Sequence, residues 1–406
     1  MTRAGSGSGF GTGAGMPPVE IDLATGQCRR FGPSPWLRHA LEQASRLGRL
    51  DGTGLYYPPG GDPELCALVL ELQDDHVALR SRDTAVLITS GAINALDALL
   101  RAHLAPGDEV LVPDPGFPPY HSVVRLAGGR PVPYALRPTG PGFALDLDDL
   151  AGKLSARTRF LILNSPHNPT GHVLGEGELR GVAELLDAHP QVAYISDEVY
   201  ARLVYDGASA RSIAALSPAG VVIDSLSKSH GLAGYRVGWL YGDPGLVDGA
   251  RAVIAETLGC VSSLSQEAAK AALRWGPGAG PGAGALAASC SAARATAMEI
   301  LDRHQVGYAL PAGGIYLFVA HGGDGAEAEA EAVAVRALAT AGVRVLPGDA
   351  FGANGRGWLR TTFAVPDDEL VGGFTRVGQV LATQGMQRNR TTQRRRPPCR
   401  VSSSTT

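Results

Sequence analysis

The sequence predicts an α/β protein, with a larger domain built on a mainly parallel sheet between helices and a smaller α+β domain after it. Three observations predict this. Short runs rich in Val, Ile and Leu alternate with amphipathic stretches along most of the chain. The runs are apolar at consecutive positions, so both faces of each strand must be buried, as happens when helices cover a parallel sheet on both sides. A Gly-Pro-rich break, Gly276 to Gly284, then separates this pattern from a second, shorter one.

The elements follow in order. Ala85-Val86-Leu87-Ile88-Thr89 reads as a strand and Ala92 to His103 as the helix after it. Pro106-Gly107-Asp108 is a turn that opens the strand Glu109-Val110-Leu111-Val112. Arg159-Phe160-Leu161-Ile162-Leu163, Val192-Ala193-Tyr194-Ile195, Val221-Val222-Ile223 and Val237-Gly238-Trp239-Leu240 complete the larger set. Beyond the break, strands are expected at Ile315 to Val319 and Val343 to Val345, with helices near Glu329 to Ala341 and Asp367 to Thr383.

Composition narrows the function. The chain has 406 residues, 36 Lys or Arg against 39 Asp or Glu, and a net charge of -3. Such a balance offers no cationic field for nucleic acid or an acidic membrane surface, so a small-molecule partner is expected, with neither nucleic acid nor membrane. Only three of the basic residues are lysines, Lys153, Lys228 and Lys270. Chemistry that requires an amine therefore has few candidates. No apolar run reaches the length of a bilayer span, and the Gly/Ser-rich start lacks a signal-peptide core, which points to the cytoplasm. Five widely spaced cysteines indicate neither a disulfide framework nor a zinc site.

Every unusual polar cluster falls just after one of the predicted strands, where ligands bind in open α/β sheets. Asn164-Ser165-Pro166-His167-Asn168-Pro169-Thr170-Gly171 reads equally well as a rigid turn or as a site. Ser196-Asp197-Glu198-Val199-Tyr200 sets a carboxylate at a strand end, where it is either functional or a helix cap. Ser225-Leu226-Ser227-Lys228-Ser229-His230 puts a lysine among hydroxyls, with Arg236 eight positions on. Lys153 and Lys270 lie in polar or amphipathic helical stretches, where a solvated lysine is the default.

Taken together, and in this order, these residues resemble the fold-type I pyridoxal-phosphate enzymes of the class I/II aminotransferase family. Further elements carry the resemblance: Tyr56 before Gly61-Asp62-Pro63-Glu64, Ser90-Gly91-Ala92, Asp114-Pro115-Gly116-Phe117, Pro347-Gly348-Asp349-Ala350-Phe351-Gly352 and Trp358-Leu359-Arg360. Asp197 lies 29 positions after Asn168, Lys228 a further 31, and Arg360 another 132. The likeness spans roughly residues 20 to 385. It implies a seven-stranded, mainly parallel sheet in the large domain. It also implies the domain bounds: residues 46–275 for the large domain and 16–45 with 276–385 for the small one, whereas composition alone marks 1–15, nearly all Gly, Ser, Thr and Ala, as a flexible tail and 386–406, Arg-rich without core residues, as a disordered basic tail.

The resemblance further implies the roles. Lys228 would hold pyridoxal 5'-phosphate as a Schiff base and, once deprotonated, move the substrate's Cα proton. Asp197 would pair with the ring nitrogen, Asn168 and Tyr200 with the ring oxygen, and Phe117 would stack on the ring. Ser90, Gly91, Ala92, Ser225, Ser227 and Arg236 would cradle the phosphate. Tyr56 would reach the phosphate of a neighbouring subunit in a homodimer, with Tyr57 its adjacent competitor. Arg360 would fork the substrate carboxylate, with Gly26 and Asn168 also at the substrate. Two departures from the family pattern bear on substrate choice: Gly26-Gln27-Cys28 stands where Gly-x-Pro is common, and Leu65-Cys66 where Leu-Arg is common. Arg29 and Arg30 read as a solvated pair or as readers of a distal carboxylate, and His230 as a structural neighbour of the lysine loop or a substrate contact. The expected activity is transfer of an amino group from an L-amino acid to a 2-oxo acid. The alternatives are elimination, replacement or cyclisation with the same cofactor, and a non-catalytic regulatory module. No helix-turn-helix segment favours the last.

Overall fold

The computed structural model describes residues 20–30, 35–46, 55–72, 83–274, 283–321 and 328–394. In chain order these form β1 (Ile21–Asp22), α1 (Pro35–Arg46), α2 (Pro63–Glu71), β2 (Ala85–Thr89), α3 (Ala92–His103), β3 (Glu109–Asp114) and α4 (Pro119–Leu126). Next come β4 (Arg130–Thr139), β5 (Gly142–Leu145), α5 (Leu147–Lys153), β6 (Thr158–Asn164), α6 (Glu176–Ala188), β7 (Ala193–Asp197), β8 (Gly220–Ser225) and the single turn α7 (Leu226–Ser229). They continue with β9 (Gly238–Gly242), α8 (Pro244–Thr257), α9 (Ser263–Arg274), α10 (Ala283–Arg303), β10 (Tyr308–Ala309) and β11 (Tyr316–Ala320). The last are α11 (Ala328–Thr340), β12 (Val343–Arg344), β13 (Leu346–Pro347), β14 (Trp358–Thr362) and α12 (Asp367–Arg394).

The large sheet has the order β2-β9-β8-β7-β6-β3-β4-β5. Its strands are parallel except β9, which runs antiparallel to β2 and β8, and β5, a short hairpin partner of β4. Seven strands thus form the expected sheet, and β5 extends it. The apolar runs split by parity, as strand geometry requires. Leu87, Val110, Val112, Ile162, Ile195, Val221 and Leu240 pack on one face with α3 and α8. Val86, Ile88, Leu111, Leu163, Tyr194, Val222 and Trp239 pack on the other, with α1, α2, α6 and α9. Each fully buried aliphatic side chain contributes about 1.5–3 kcal/mol, so neither face can be left uncovered.

β4 has no strand signature because it contains Pro131, Pro133 and Pro138. The first two lie where β4 pairs only with β3, so the missing N–H groups would have faced an open edge. The smaller body joins the antiparallel sheet β10-β11-β14-β13 to α10, α11 and α12 over a separate core, with β1 paired to β12.

Two expected bounds change. Helix α1 buries Leu37 in the core of the large body, against α9, whereas Ile21, Leu23 and Cys28, in the described stretch 20–30 before it, pack in the core of the small domain. Helix α12 continues to Arg394, nine residues into the segment expected to be disordered. Met, Gln and Arg there favour helix, and the first proline is Pro397. The expected tail over 1–15 and the rest of the basic tail lie outside the described residues.

Candidate functional site

Five chain segments converge at the carboxyl edge of the large sheet, following β2, β3, β6, β7 and β8. Ser225 of β8 and Thr89 of β2 both face Gly238 of β9, and Asn164 of β6 faces Asp197 of β7. This register brings the clusters after Thr89, Asn164, Asp197 and Ser225 to one crevice.

At one end of the crevice α3 begins on Gly91, at φ +85° and with no side-chain cap. Helices α2, α5 and α8 instead begin on Asp62, Asp146 and Asp243, whose carboxylates accept a first-turn N–H. Asn94 N turns back to the Gly91 carbonyl at 3.1 Å, and the earlier first-turn donors, from Ala92, have no intrahelical partner and suit an external anion. Arg236 lies across this turn, donating through Nη2 to the Ser90 carbonyl at 3.2 Å and through Nη1 to that of Ala233 at 3.0 Å. Its backbone is left-handed, at φ +54°, a conformation costing a non-glycine residue about 1–2 kcal/mol. A Cβ on Gly91 would lie 2.5 Å from Arg236 Nη2, so glycine is what lets the guanidinium close over the helix end. Ser225 Oγ caps α7 by accepting from Ser227 N at 3.4 Å, which leaves its proton free to donate.

In the middle, Asp197 is buried and accepts a 2.7 Å hydrogen bond from Tyr120. Burial raises its carboxyl to about 6. The ring of Phe117 meets Tyr120 edge-on at 5.5 Å. Asn164 donates to the Asp197 carbonyl at 3.0 Å and accepts from the Asn168 amide at 2.9 Å, tying the two strand ends together.

At the far end stands Arg360, on β14 of the smaller body. It is buried, and it donates to Asn168 Oδ1 at 3.2 Å and to the Ala24 carbonyl at 2.6 Å. Its guanidinium stacks on Tyr316 at 4.2 Å and on Phe351 at 5.0 Å. Its Nε is buried without a hydrogen-bond partner among the described residues, a spare donor at this end of the crevice. The segment that follows β1 is held along β14 by Leu23 and Arg29, and this delivers Gly26 to the amine of Lys228, which donates to the Gly26 carbonyl. Tyr200 lies below, its hydroxyl donating to that of Tyr316 at 3.1 Å and its ring 5.9 Å from Lys228 Nζ. Lys228, Gly26, Tyr200, Asn168 and Arg360 thus form one contact network together with Tyr316.

Other expected residues stand elsewhere. Tyr56 is 92% exposed, whereas Tyr57 donates to Glu267 at 2.8 Å within its own chain. Arg29 pairs with Glu369 and Arg30 with Asp367, each at 2.6 Å, so neither is a solvated pair member or a free carboxylate reader. Burial lowers His230 to about 4, and it contacts Ser229. Lys270 is buried rather than solvated, held by Asp62 and Glu267 at 2.6 Å each, and these carboxylates raise its amine against the opposing effect of burial.

Two site residues escape sequence reasoning. Tyr120 sits one helical turn beyond Phe117, a spacing that could have linked the two. Tyr316 is an aromatic in a buried strand, which reads as ordinary core until Arg360 is seen stacked on it.

The sequence model of the family described as aminotransferase class I and II matches residues 18–375. A Bacillus subtilis protein named as a probable N-acetyl-LL-diaminopimelate aminotransferase is 31% identical over 358 residues, covering 88% of each chain. A Thermus aquaticus protein named as a probable aspartate/prephenate aminotransferase is 30% identical over 348 residues, 84% of this chain and 87% of its own. Among solved structures, the N-succinyldiaminopimelate aminotransferase of Mycobacterium tuberculosis superposes with a TM-score of 0.79 at 30% identity, covering 88% of this chain and 93% of that one. The aromatic aminotransferase of Pyrococcus horikoshii gives 0.81 at 27% identity, covering 90% and 96%.

Proposed function

The chain belongs to the class I and II aminotransferase family and is an aminotransferase, and on that premise we propose that it works with pyridoxal 5'-phosphate held on Lys228. The observation that carries the proposal is the glycine-started helix α3 with Arg236 closed over it, in the same crevice as Lys228 and the buried carboxylate Asp197. The donor set suits the cofactor's three polar parts. Open α3 amides, Ser90, Gly91, Ala92, Ser225, Ser227 and Arg236 suit a phosphate dianion. Asp197 suits a protonated ring nitrogen, whose charge would keep the buried carboxyl ionised despite its raised pKa. Tyr200 and Asn168 suit the ring oxygen, and Phe117 the ring face.

When bound, the cofactor supplies the electron sink that makes the substrate's Cα proton labile. Lys228 takes and returns that proton between the two carbon positions that exchange it. Tyr120 fixes the orientation of Asp197. Arg360 offers Nε and its two amino groups to the α-carboxylate, and the aromatic faces of Tyr316 and Phe351 hold the guanidinium plane. Gly26 leaves the wall beside the reacting carbon bare, since a Cβ there would lie 2.9 Å from the Tyr316 hydroxyl. The exposure of Tyr56, against the internal bond of Tyr57, supports a homodimer in which Tyr56 reaches the neighbour's phosphate. In such a dimer, mixing Tyr56→Ala and Lys228→Ala chains restores activity, because one site then holds both native residues.

The experiment is a panel of amino acids, each supplied with a 2-oxo acid. The panel starts with N-acetyl- and N-succinyl-LL-diaminopimelate, aspartate and glutamate. Transamination yields a new 2-oxo acid and a new amino acid in equal amounts. Ammonia or a released side-chain group in their place would establish elimination or replacement and refute the reading.

A further inference from the structure

The Tyr316 hydroxyl lies where three proposed parts of the site meet. It is 3.1 Å from the Tyr200 hydroxyl, its ring carries the Arg360 guanidinium at 4.2 Å, and its oxygen would be 2.9 Å from a Cβ on Gly26, whose carbonyl takes the amine of Lys228. The ring is 2% exposed, so water has little part in this arrangement. We propose that Tyr316 is a positioning residue that relays the pairing of the Arg360 guanidinium with a carboxylate to Tyr200, linking recognition of the substrate carboxylate to the hydrogen bond on the cofactor's ring oxygen. The inference rests on the cofactor reading above.

The argument is one of donor counting. A tyrosine hydroxyl has one proton and rotates to place it. If Tyr200 gives its proton to the ring oxygen, it has none left for Tyr316, and Tyr316 becomes the donor to Tyr200. A chain of two donations ending on an anion strengthens both bonds. The charged groups facing Tyr316 are Arg360 on β14 and Lys228 after β8, and its polar neighbour is Tyr200 after β7. Burial opposes ionisation of Tyr316, yet Arg360 and Lys228 hold its phenol below the ordinary value, whereas burial and the Tyr316 neighbour push Tyr200 well above it. Part of that difference is the hydrogen bond Tyr200 now gives to Tyr316, but Arg360 against its ring and Lys228 beside Gly26 favour Tyr316 as the donor once Tyr200 turns its proton to the ring oxygen. A carboxylate that neutralises Arg360 weakens that donation, so the ring oxygen senses substrate binding without touching the substrate's acid group.

Tyr316→Phe keeps the ring on Arg360 and deletes only the hydroxyl. In the loaded protein, the pH midpoint of the cofactor's visible band is expected to rise by about half a unit or more, as for any lost donor to an anion, while KM for the amino acid changes by less than about threefold. In the cofactor-free protein, ultraviolet titration is expected to show one tyrosine ionising before the others, and Tyr316→Phe to remove it. An unchanged visible midpoint overturns the relay, as does a raised KM with an unchanged midpoint, which would make Tyr316 mere packing for Arg360. Persistence of the early tyrosine in the variant overturns it too. A wild-type chain that gains no visible band refutes the cofactor reading and the relay with it, and the ultraviolet titration separately reports whether the hydroxyl feels Arg360.

Discussion

Replacing Gly91 by alanine should loosen the phosphate cradle without unfolding the chain. Two effects follow from the geometry. At φ +85° and ψ 168° the backbone lies in a region used essentially by glycine alone, so a Cβ costs about 1–3 kcal/mol of strain, which lowers stability. The same Cβ would lie 2.5 Å from Arg236 Nη2 and 3.1 Å from its Cζ, so the guanidinium must swing off the helix end. A hydrogen bond to a charged group is worth about 1.5–3 kcal/mol, so the dissociation constant for pyridoxal 5'-phosphate should rise about tenfold to a hundredfold. Equilibrium dialysis against the cofactor gives that constant, and a melting curve of the cofactor-free protein gives the strain separately. An Arg236→Gln background supplies the control: with the guanidinium already gone, Gly91→Ala should add little further loss of affinity. An affinity within about twofold of wild type, in a folded Gly91→Ala protein, would refute the cradle.

Arg360→Lys retains a charge but loses the planar fork and the stacking on Tyr316 and Phe351, so KM should rise about tenfold to a hundredfold with a smaller change in kcat, and steady-state kinetics would expose an arginine without this role by an unaltered KM. The buried Asp197 carboxyl, raised from 3.8 to about 6, opposes folding once ionised. The cofactor-free protein should therefore lose about 3 kcal/mol as pH climbs from about 4 through about 6, and the Asp197→Asn protein should not, so parallel denaturant midpoints for the two would contradict the assignment. Lys270→Met leaves Asp62 and Glu267 without their shared cation and should cost about 3–5 kcal/mol, whereas a loss below about 1 kcal/mol would be that of a solvated lysine.

What is legible in the sequence is whatever chemistry or backbone geometry restricts to one residue type. Lys228 stands out because only a neutral amine could form the bond proposed for it, in a chain that otherwise uses arginine for most of its positive charge. Gly91 and Arg360 stand out because a bare helix start and a planar fork have few substitutes. The ordered motifs suffice to place the chain in its family, and the two-faced apolar runs to give the sheet. Side chains whose roles arise from tertiary neighbours are invisible at that level. Tyr120 and Tyr316 look like core aromatics until Asp197 and Arg360 arrive beside them. Lys270 looks solvated until α2 brings Asp62 against α9. β4 hides behind three prolines that its one-sided pairing tolerates, and α1 offers no local sign that its Leu37 belongs to the large body.

The central claim is that Lys228 holds the cofactor, and borohydride reduction of the loaded protein followed by peptide mapping tests it most directly. The account predicts loss of the visible band and a single cofactor-bearing peptide that contains Lys228. A label on Lys153 or Lys270, or none at all, would contradict it.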